Sequence, residues 1–238
     1  MAWALRLACG AVLLVALGSA PAAAQLPPAP TWNPELRPNM PRQPLPRIAR
    51  QRDDEWRLGC AATVVEGLGV VTARHCGFGR AQIPVGSVAV QFGEERRRIV
   101  GATVPSEPFQ VEGRPMQPQF DWAILEVEGP LPAVDRITYV GRAGLVTASR
   151  TAPLTKLGPG RGGPNAAPAD GPCWPLEIGM GGTVFTFQCR DGTGPGRSGS
   201  PLLMRTADGW GFVGMHVAEF DTPEGKVGIA IVPPRRAD

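Results

Sequence analysis

The chain has 238 residues and a formal net charge of +3, spread over both signs. That balance excludes the clustered basic face expected of a nucleic-acid-binding protein, since Arg96-Arg97-Arg98 is the only tight basic run. The 31 Gly and 27 Pro residues cut the chain into short Val/Ile/Thr-rich runs with no long 3.6-residue period. The composition therefore predicts an all-β protein.

Residues 1–24 have the pattern of a secretory signal peptide. Arg6 supplies a positive charge, residues 11–17 form an apolar run, and Ala22-Ala23-Ala24 offers a cleavage site before Gln25. The run is short for a membrane span, although an uncleaved anchor stays open as an alternative. We expect an exported protein, secreted or periplasmic, without stable membrane insertion.

Residues 25–54 form a Pro-rich N-terminal extension or propeptide. Eight prolines between positions 27 and 46 favour an extended polyproline II conformation and remove N–H groups that a sheet would need. A linker, a propeptide and an arm lying on the domain all fit this composition. The fold is predicted to start near Glu55.

The remainder divides into two strand-rich parts, 55–132 and 133–238, at the turn-forming segment Gly129-Pro130-Leu131-Pro132. Residues 157–172, dominated by Gly, Pro, Ala and Asn, are predicted to form an exposed loop. Many short strands of this kind are typical of a barrel or a sandwich. The predicted strands lie at 60–65, 69–73, 85–92, 98–104 and 122–127 in the first part, and at 137–140, 144–149, 182–189, 201–204, 210–217 and 227–232 in the second.

Four cysteines follow the signal segment, namely Cys60, Cys76, Cys173 and Cys189. An even number in an exported protein indicates disulfides, for which three connectivities exist. The local pairing, Cys60–Cys76 and Cys173–Cys189, closes two loops with the same sequence separation of 16. A metal site is disfavoured, because the chain has no C-x-x-C pair and only two histidines.

Three residues far apart in the chain are candidates for nucleophilic catalysis. His75 follows an apolar run, Asp121 opens another, and Ser198 lies in the glycine-rich stretch 189–202. Each alone is more often structural: a strand-end histidine, a turn carboxylate, a flexible loop serine. Together they supply a nucleophile, a base and a carboxylate that orients the base.

The sequence around each candidate resembles the chymotrypsin/trypsin-like serine peptidases. The histidine lies in Thr72-Ala73-Arg74-His75-Cys76, the aspartate in Asp121-Trp122-Ala123-Ile124-Leu125, and the serine in Gly196-Arg197-Ser198-Gly199-Ser200-Pro201. The order His, Asp, Ser, and Ser200 where the motif G-x-S-x-G has its second glycine, also exclude the α/β-hydrolase arrangement. The resemblance covers about 55–235 and implies two six-stranded antiparallel β-barrels with the active site in the cleft between them.

The resemblance also implies roles. His75 is the general base, Asp121 orients it, and Ser198 attacks the substrate carbonyl. The N–H groups of Gly196 and Ser198 form the oxyanion hole.

Two features depart from the trypsin pattern. Arg197 precedes the nucleophile where trypsin-like zymogens have an aspartate that pairs with a new N-terminus, so we expect no activation switch of that type. Ser200 and the run Val213-Gly214-Met215-His216 are closer to the bacterial glutamyl endopeptidase branch. There, His216 and Thr193 are implied to line a pocket for an acidic side chain, whereas a histidine satisfied by the core is an equal alternative for His216.

The sequence therefore predicts a secreted, monomeric serine endopeptidase that uses a His75/Asp121/Ser198 triad and an acyl-enzyme intermediate. Its partners are protein or peptide substrates, and no metal or organic cofactor is expected. Two rival interpretations remain: a catalytically inactive binding module with the same fold, and a structural cell-envelope protein that acts through its Pro-rich arm.

Overall fold

Nearly all regular structure in the protein is β-strand, arranged in two sheets. The computed structural model describes residues 45–78, 86–110, 114–132, 137–151, 153–158, 169–189, 198–223 and 225–235. The predicted signal peptide and most of the Pro-rich segment lie outside these ranges. Among the described helices, none has the length and apolar character needed to cross a membrane.

The first sheet contains seven antiparallel strands in the order β2-β1-β5-β6-β7-β4-β3. Its two edge strands, β2 and β3, are separated in the chain by Ala62 alone, so the sheet curls into a half-barrel. The strands are β1 (Arg47–Arg52), β2 (Glu55–Ala61), β3 (Thr63–Val65), β4 (Gly69–Thr72), β5 (Val88–Phe92), β6 (Glu95–Thr103) and β7 (Ala123–Val127).

The second sheet closes on itself. Its order is β12-β9-β10-β11-β14-β13-β8, and an additional β12–β13 pairing completes a six-stranded barrel, with β8 attached to β13 in parallel. The elements are β8 (Ile137–Tyr139), α1 (Gly141–Thr151), β9 (Leu154–Gly158), β10 (Ala169–Gly179), β11 (Val184–Cys189), β12 (Pro201–Thr206), β13 (Gly209–Thr222) and β14 (Gly225–Ile231).

The core follows from the period-2 alternation of the strands. In β11 the buried side chains are Phe185, Phe187 and Cys189, with partly exposed residues between them. One apolar cluster extends from the first sheet to second-sheet residues such as Leu203 and Phe212. A second cluster joins α1 to the barrel. Each fully buried phenylalanine contributes about 2–3 kcal/mol of hydrophobic stabilisation.

Of the three possible disulfide connectivities, the structure has the local one. Cys60–Cys76 links the end of β2 to the turn after β4, and Cys173–Cys189 links directly opposed residues of β10 and β11. In the chain-entropy description, each loop closure with this separation of 16 contributes about 3 kcal/mol.

The first sheet has seven strands and forms a half-barrel, whereas the resemblance implies a six-stranded barrel there. Three further sequence-based expectations differ from the structure. The sheet begins at Arg47, inside the predicted extension, because β1 pairs with both β2 and β5. The segment 144–149, predicted as a strand, belongs to helix α1, whose Leu145 and Ala148 are both buried. Both ends of the predicted loop 157–172 are strand, since β9 ends at Gly158 and β10 starts at Ala169; 159–168 lie outside the described residues.

Candidate active site

His75 lies in a short 3₁₀ turn, Arg74–Cys76, that follows β4. Gly77 ends the turn at φ +154°, a conformation that favours glycine. The disulfide from Cys76 fixes the turn to β2. The imidazole is therefore attached to a segment with little freedom, and its side chain is one-third exposed.

Asp121 lies next to His75, just before the strand that neighbours β4. It ends a second 3₁₀ turn, Pro118–Phe120, immediately before β7. Strands β4 and β7 are antiparallel neighbours in which Thr72 is paired with Ala123. The end of β4 and the start of β7 therefore meet at one edge of the sheet, which brings together two residues 46 positions apart.

The His75–Asp121 pair has the geometry of an oriented general base. His75 Nδ1 lies 2.7 Å from Asp121 Oδ2, and the His75 main-chain N–H donates to Oδ1 at 2.9 Å. The carboxylate is fully buried, with 0% exposure. Because an ionised carboxylate only accepts hydrogen bonds, Nδ1 carries the hydrogen, and Nε2 of the neutral ring is free of a proton. That nitrogen is the one that a general base uses.

Two arginines that sequence reasoning did not assign surround the His75 turn. Arg50 of β1 donates to the carbonyl oxygens of His75 at 2.9 Å and Cys76 at 2.8 Å. Arg74 is buried, at 4% exposure. Burial lowers the pKa of the Arg74 guanidinium, and the Asp121 and Glu107 carboxylates partly offset that change. The Arg74 side chain is still charged at neutral pH.

Ser198 is connected to the first sheet through its main chain. Its carbonyl oxygen accepts the Ala61 N–H at 2.8 Å. Gly199 has φ +83°, and a Cβ at this position would overlap the Ala61 carbonyl oxygen, so only glycine fits. The Ser198 hydroxyl donates to Val217 O at 3.5 Å, which is a long and weak hydrogen bond.

A short path joins Ser198 to His75. Ala61, which binds the Ser198 carbonyl, follows Cys60, and Cys60 is disulfide-bonded to the neighbour of His75. Among the three sequence-predicted residues, His75 and Asp121 are in direct contact, whereas Ser198 is linked to the His75 turn only through this path and its hydroxyl bonds Val217 O. Predicted site residues Thr193 and Gly196 lie outside the described residues, as does Arg197, so Ser198 is the only member of the predicted oxyanion hole within them.

His216 borders the Ser198 turn from β13. Its carbonyl accepts the Gly199 N–H at 2.8 Å, and its N–H donates to Ser200 O at 2.9 Å. The ring is 3% exposed, and its Nε2 lies 2.8 Å from Ala218 O. It meets Phe187 edge-on, at 5.5 Å between centroids.

A buried cation contacts the same aromatic ring as His216. Lys156 is 2% exposed, and its ammonium lies 5.5 Å from the Phe187 centroid. The attraction between an ammonium and the face of an aromatic ring contributes to holding it there. Two side chains able to carry positive charge are therefore grouped around Phe187, close to the turn that carries Ser198.

One group of potential metal donors occurs in the described part of the chain: Cys60, His75 and Cys76, with ligand atoms within 4.8 Å of one another. Its two sulfur atoms are bonded to each other. Metal binding requires thiolates, which a disulfide does not offer. In this oxidised state the group is a covalent support for His75.

Neither the models of known protein families nor the curated proteins contain a match to this chain.

Proposed function

We propose that this protein is an exported serine endopeptidase in which Ser198 is the nucleophile, His75 the general base and Asp121 the carboxylate that orients it. The observation that carries the proposal is the His75–Asp121 pair, with its 2.7 Å contact to a fully buried carboxylate. The buried carboxylate binds the His75 main chain through one oxygen and the ring through the other, which fixes the orientation of the imidazole.

In the proposed reaction the Ser198 hydroxyl attacks the substrate carbonyl carbon while His75 Nε2 takes its proton. The tetrahedral intermediate expels the amine, to which His75 returns the proton, and an ester to Ser198 remains. Water then attacks the ester by the same steps in reverse order. Asp121 stays ionised and stabilises the imidazolium. Each oxyanion-hole N–H, from Gly196 and Ser198, is worth about 3–4 kcal/mol in the transition state.

The primary specificity that we propose is for an acidic residue before the cleaved bond. His216, whose main chain bonds the Ser198 turn, and Lys156, which contacts the same Phe187 ring, support a positive potential near Ser198. Such a potential would attract a carboxylate side chain. Matched peptides with Glu or Gln before the cut test this directly. If the His216→Ala variant keeps the same Glu/Gln ratio of kcat/KM as the unmodified protein, His216 has no part in specificity.

Export is supported by the two disulfides, which persist in oxidising compartments. We expect the mature protein to begin at Gln25. N-terminal sequencing of protein recovered outside the cytoplasm tests this, and a mature form that retains 1–24 would contradict it.

Reaction with a fluorophosphonate probe tests the nucleophile. We expect one adduct, on Ser198, whose formation is abolished in Ser198→Ala. In Asp121→Asn the rate should fall about 10⁴-fold, because the amide favours the wrong imidazole tautomer. His75→Ala should react equally slowly, and thermal unfolding of each variant controls for folding. An unlabelled wild-type protein that is fully folded would refute an active peptidase.

The second candidate function is a catalytically inactive binding module. The observation that favours it is the Ser198 hydroxyl, whose hydrogen bond within the described residues goes to Val217 O. In enzymes without substrate the nucleophile–base contact is often long, so this observation alone does not decide. Peptide binding without turnover, unchanged in Ser198→Ala, would establish the second candidate.

A further inference from the structure

Arg74 is an unusual side chain to find buried directly before a candidate general base. At 4% exposure its guanidinium needs hydrogen-bond acceptors in place of water. Its Nε donates to Phe78 O at 3.3 Å, and one of its terminal nitrogens donates to Glu107 O. The side chain therefore joins the chain that leaves the His75 turn to the segment that follows β6.

Arg74 and His75 contact the same aromatic ring. The Arg74 Cζ lies 5.7 Å from the Phe109 ring centroid, and the His75 ring centroid lies 6.4 Å from it. The Phe109 carbonyl accepts the Gln117 N–H at 2.7 Å, which fixes this segment next to the turn that ends at Asp121. Arg74 therefore connects the chain after the His75 turn with the segment that contains Glu107 and Phe109.

Within the described residues, four charged groups lie around His75. Asp121 contacts the ring, Arg50 lies at the His75 carbonyl oxygen, and Arg74 interacts with Asp121 and Glu107. Solvent and salt weaken the field of Arg50, whose bond to the His75 carbonyl is exposed. The field of a buried charge such as Arg74 is screened much less.

We propose that Arg74 is a positioning residue for the His75–Asp121 pair: it seats Phe109 against the imidazole, and its buried charge opposes the second protonation of the ring. This inference rests on the proposed function.

Electrostatics gives the direction in which His75 protonation should change when Arg74 is replaced. A cation near the ring disfavours imidazolium, so its removal lets His75 take up the second proton at a higher pH. The acid limb of the kcat/KM profile reports that protonation in the free enzyme. We expect the limb to move up by about half a unit to one unit in Arg74→Gln. In Arg74→Lys the charge stays and the limb should not move.

The experiment follows the His75 ring protons by NMR as a function of pH in the full-length wild type, Arg74→Gln and Arg74→Lys, alongside the kcat/KM profiles. Arg98→Met, which removes an exposed arginine of β6 paired with Glu128, is the matched control and should titrate as wild type. Because the NMR titration needs no turnover, it tests Arg74 even if the protein proves inactive.

The expected pattern is a raised midpoint in Arg74→Gln only, with reduced kcat/KM in both Arg74 variants because Phe109 loses its support. Equal midpoints in wild type and Arg74→Gln would overturn the proposal and leave Arg74 a purely structural residue. Should Arg74→Gln fail to fold, Arg74→Met, which also removes the charge, replaces it. A raised midpoint is again expected, and an unchanged midpoint would again overturn the proposal.

Discussion

The two halves of the molecule hold their site residues by different means. The His75 turn is fixed by side chains: a disulfide, Arg50 and Arg74. The Ser198 turn is fixed by main-chain hydrogen bonds to Ala61 and His216. The first kind of support can be removed one side chain at a time. The main-chain support depends on backbone conformation, so a substitution weakens it only where the new side chain would collide with the backbone.

Gly199 is the position at which the main-chain support can be broken most severely. In Gly199→Ala the new Cβ overlaps the Ala61 carbonyl at φ +83°. We expect the free energy of unfolding to fall by about 3 kcal/mol or more, as for other strained and overpacked sites.

Gly67→Ala is the matched control for Gly199→Ala, because Gly67 has nearly the same backbone angle, φ +79°, and its Cβ would meet nothing within 4 Å. It should cost about 1 kcal/mol. Denaturant unfolding measures both variants. Equal losses would mean that the fit against Ala61 adds nothing to the cost of the conformation.

The two disulfides provide an internal comparison, because both have a sequence separation of 16. Cys60→Ala/Cys76→Ala and Cys173→Ala/Cys189→Ala should each lose about 3 kcal/mol of stability. Only the first pair supports His75, so only its loss should slow fluorophosphonate labelling of protein that is still folded. Equal slowing in both double variants would show that the effect is general loosening.

The second half has a side-chain support of its own in Tyr139, the only tyrosine of the chain. Its hydroxyl donates to Pro233 O at 2.6 Å, and burial raises the pKa of Tyr139, with a small opposing effect from Arg235. The folded protein thus keeps this proton at a higher pH than the unfolded chain. The stabilisation is complete below about pH 10 and is lost as the pH rises further.

We therefore expect the free energy of unfolding to decrease above about pH 10, where the unfolded tyrosine ionises. Tyr139→Phe should abolish this contribution and cost about 1 kcal/mol at neutral pH, since Pro233 O loses its donor. Unfolding of both proteins across this pH range provides the measurement. An identical alkaline dependence in the two would exclude Tyr139 as its source.

The smallest effect is expected at the surface of the first sheet. Arg98 and Glu128 form a two-bond ion pair, but both side chains are more than half exposed. We expect no measurable change of thermal unfolding in Arg98→Met, because solvent screens such pairs. A clear decrease in the unfolding temperature of Arg98→Met would mean that even solvent-exposed side-chain contacts stabilise the first half.

Strands that have a clear local pattern of apolar residues can be predicted from the sequence. The period-2 alternation of β11 and the short apolar runs of β4 and β7 are visible in the chain. Helix α1 was missed because Gly141, Gly144 and β-branched Val146 and Thr147 disfavour a helix. Tertiary packing overrides that preference, since Leu145 is fully buried.

The same limit applies to the site. His75, Asp121 and Ser198 are predicted from a local motif around each, whereas Arg50 and Phe109 reach the His75 turn from distant segments with no motif of their own. Arg74 lies inside the histidine motif Thr72–Cys76, where a charged residue directly before the histidine is the signal that the sequence offers. Its contacts to Glu107 and Phe109 required the fold.

Hydrogen exchange at the Ala61 amide can report whether the two halves separate. Its N–H donates to Ser198 O and its carbonyl accepts the Thr72 hydroxyl at 2.8 Å. An amide buried in such a bond exchanges with deuterium only when the structure around it opens. Exchange of the Ala61 amide, compared with that of core strand amides, would therefore distinguish a local parting of the Ser198 turn from the first sheet from global unfolding.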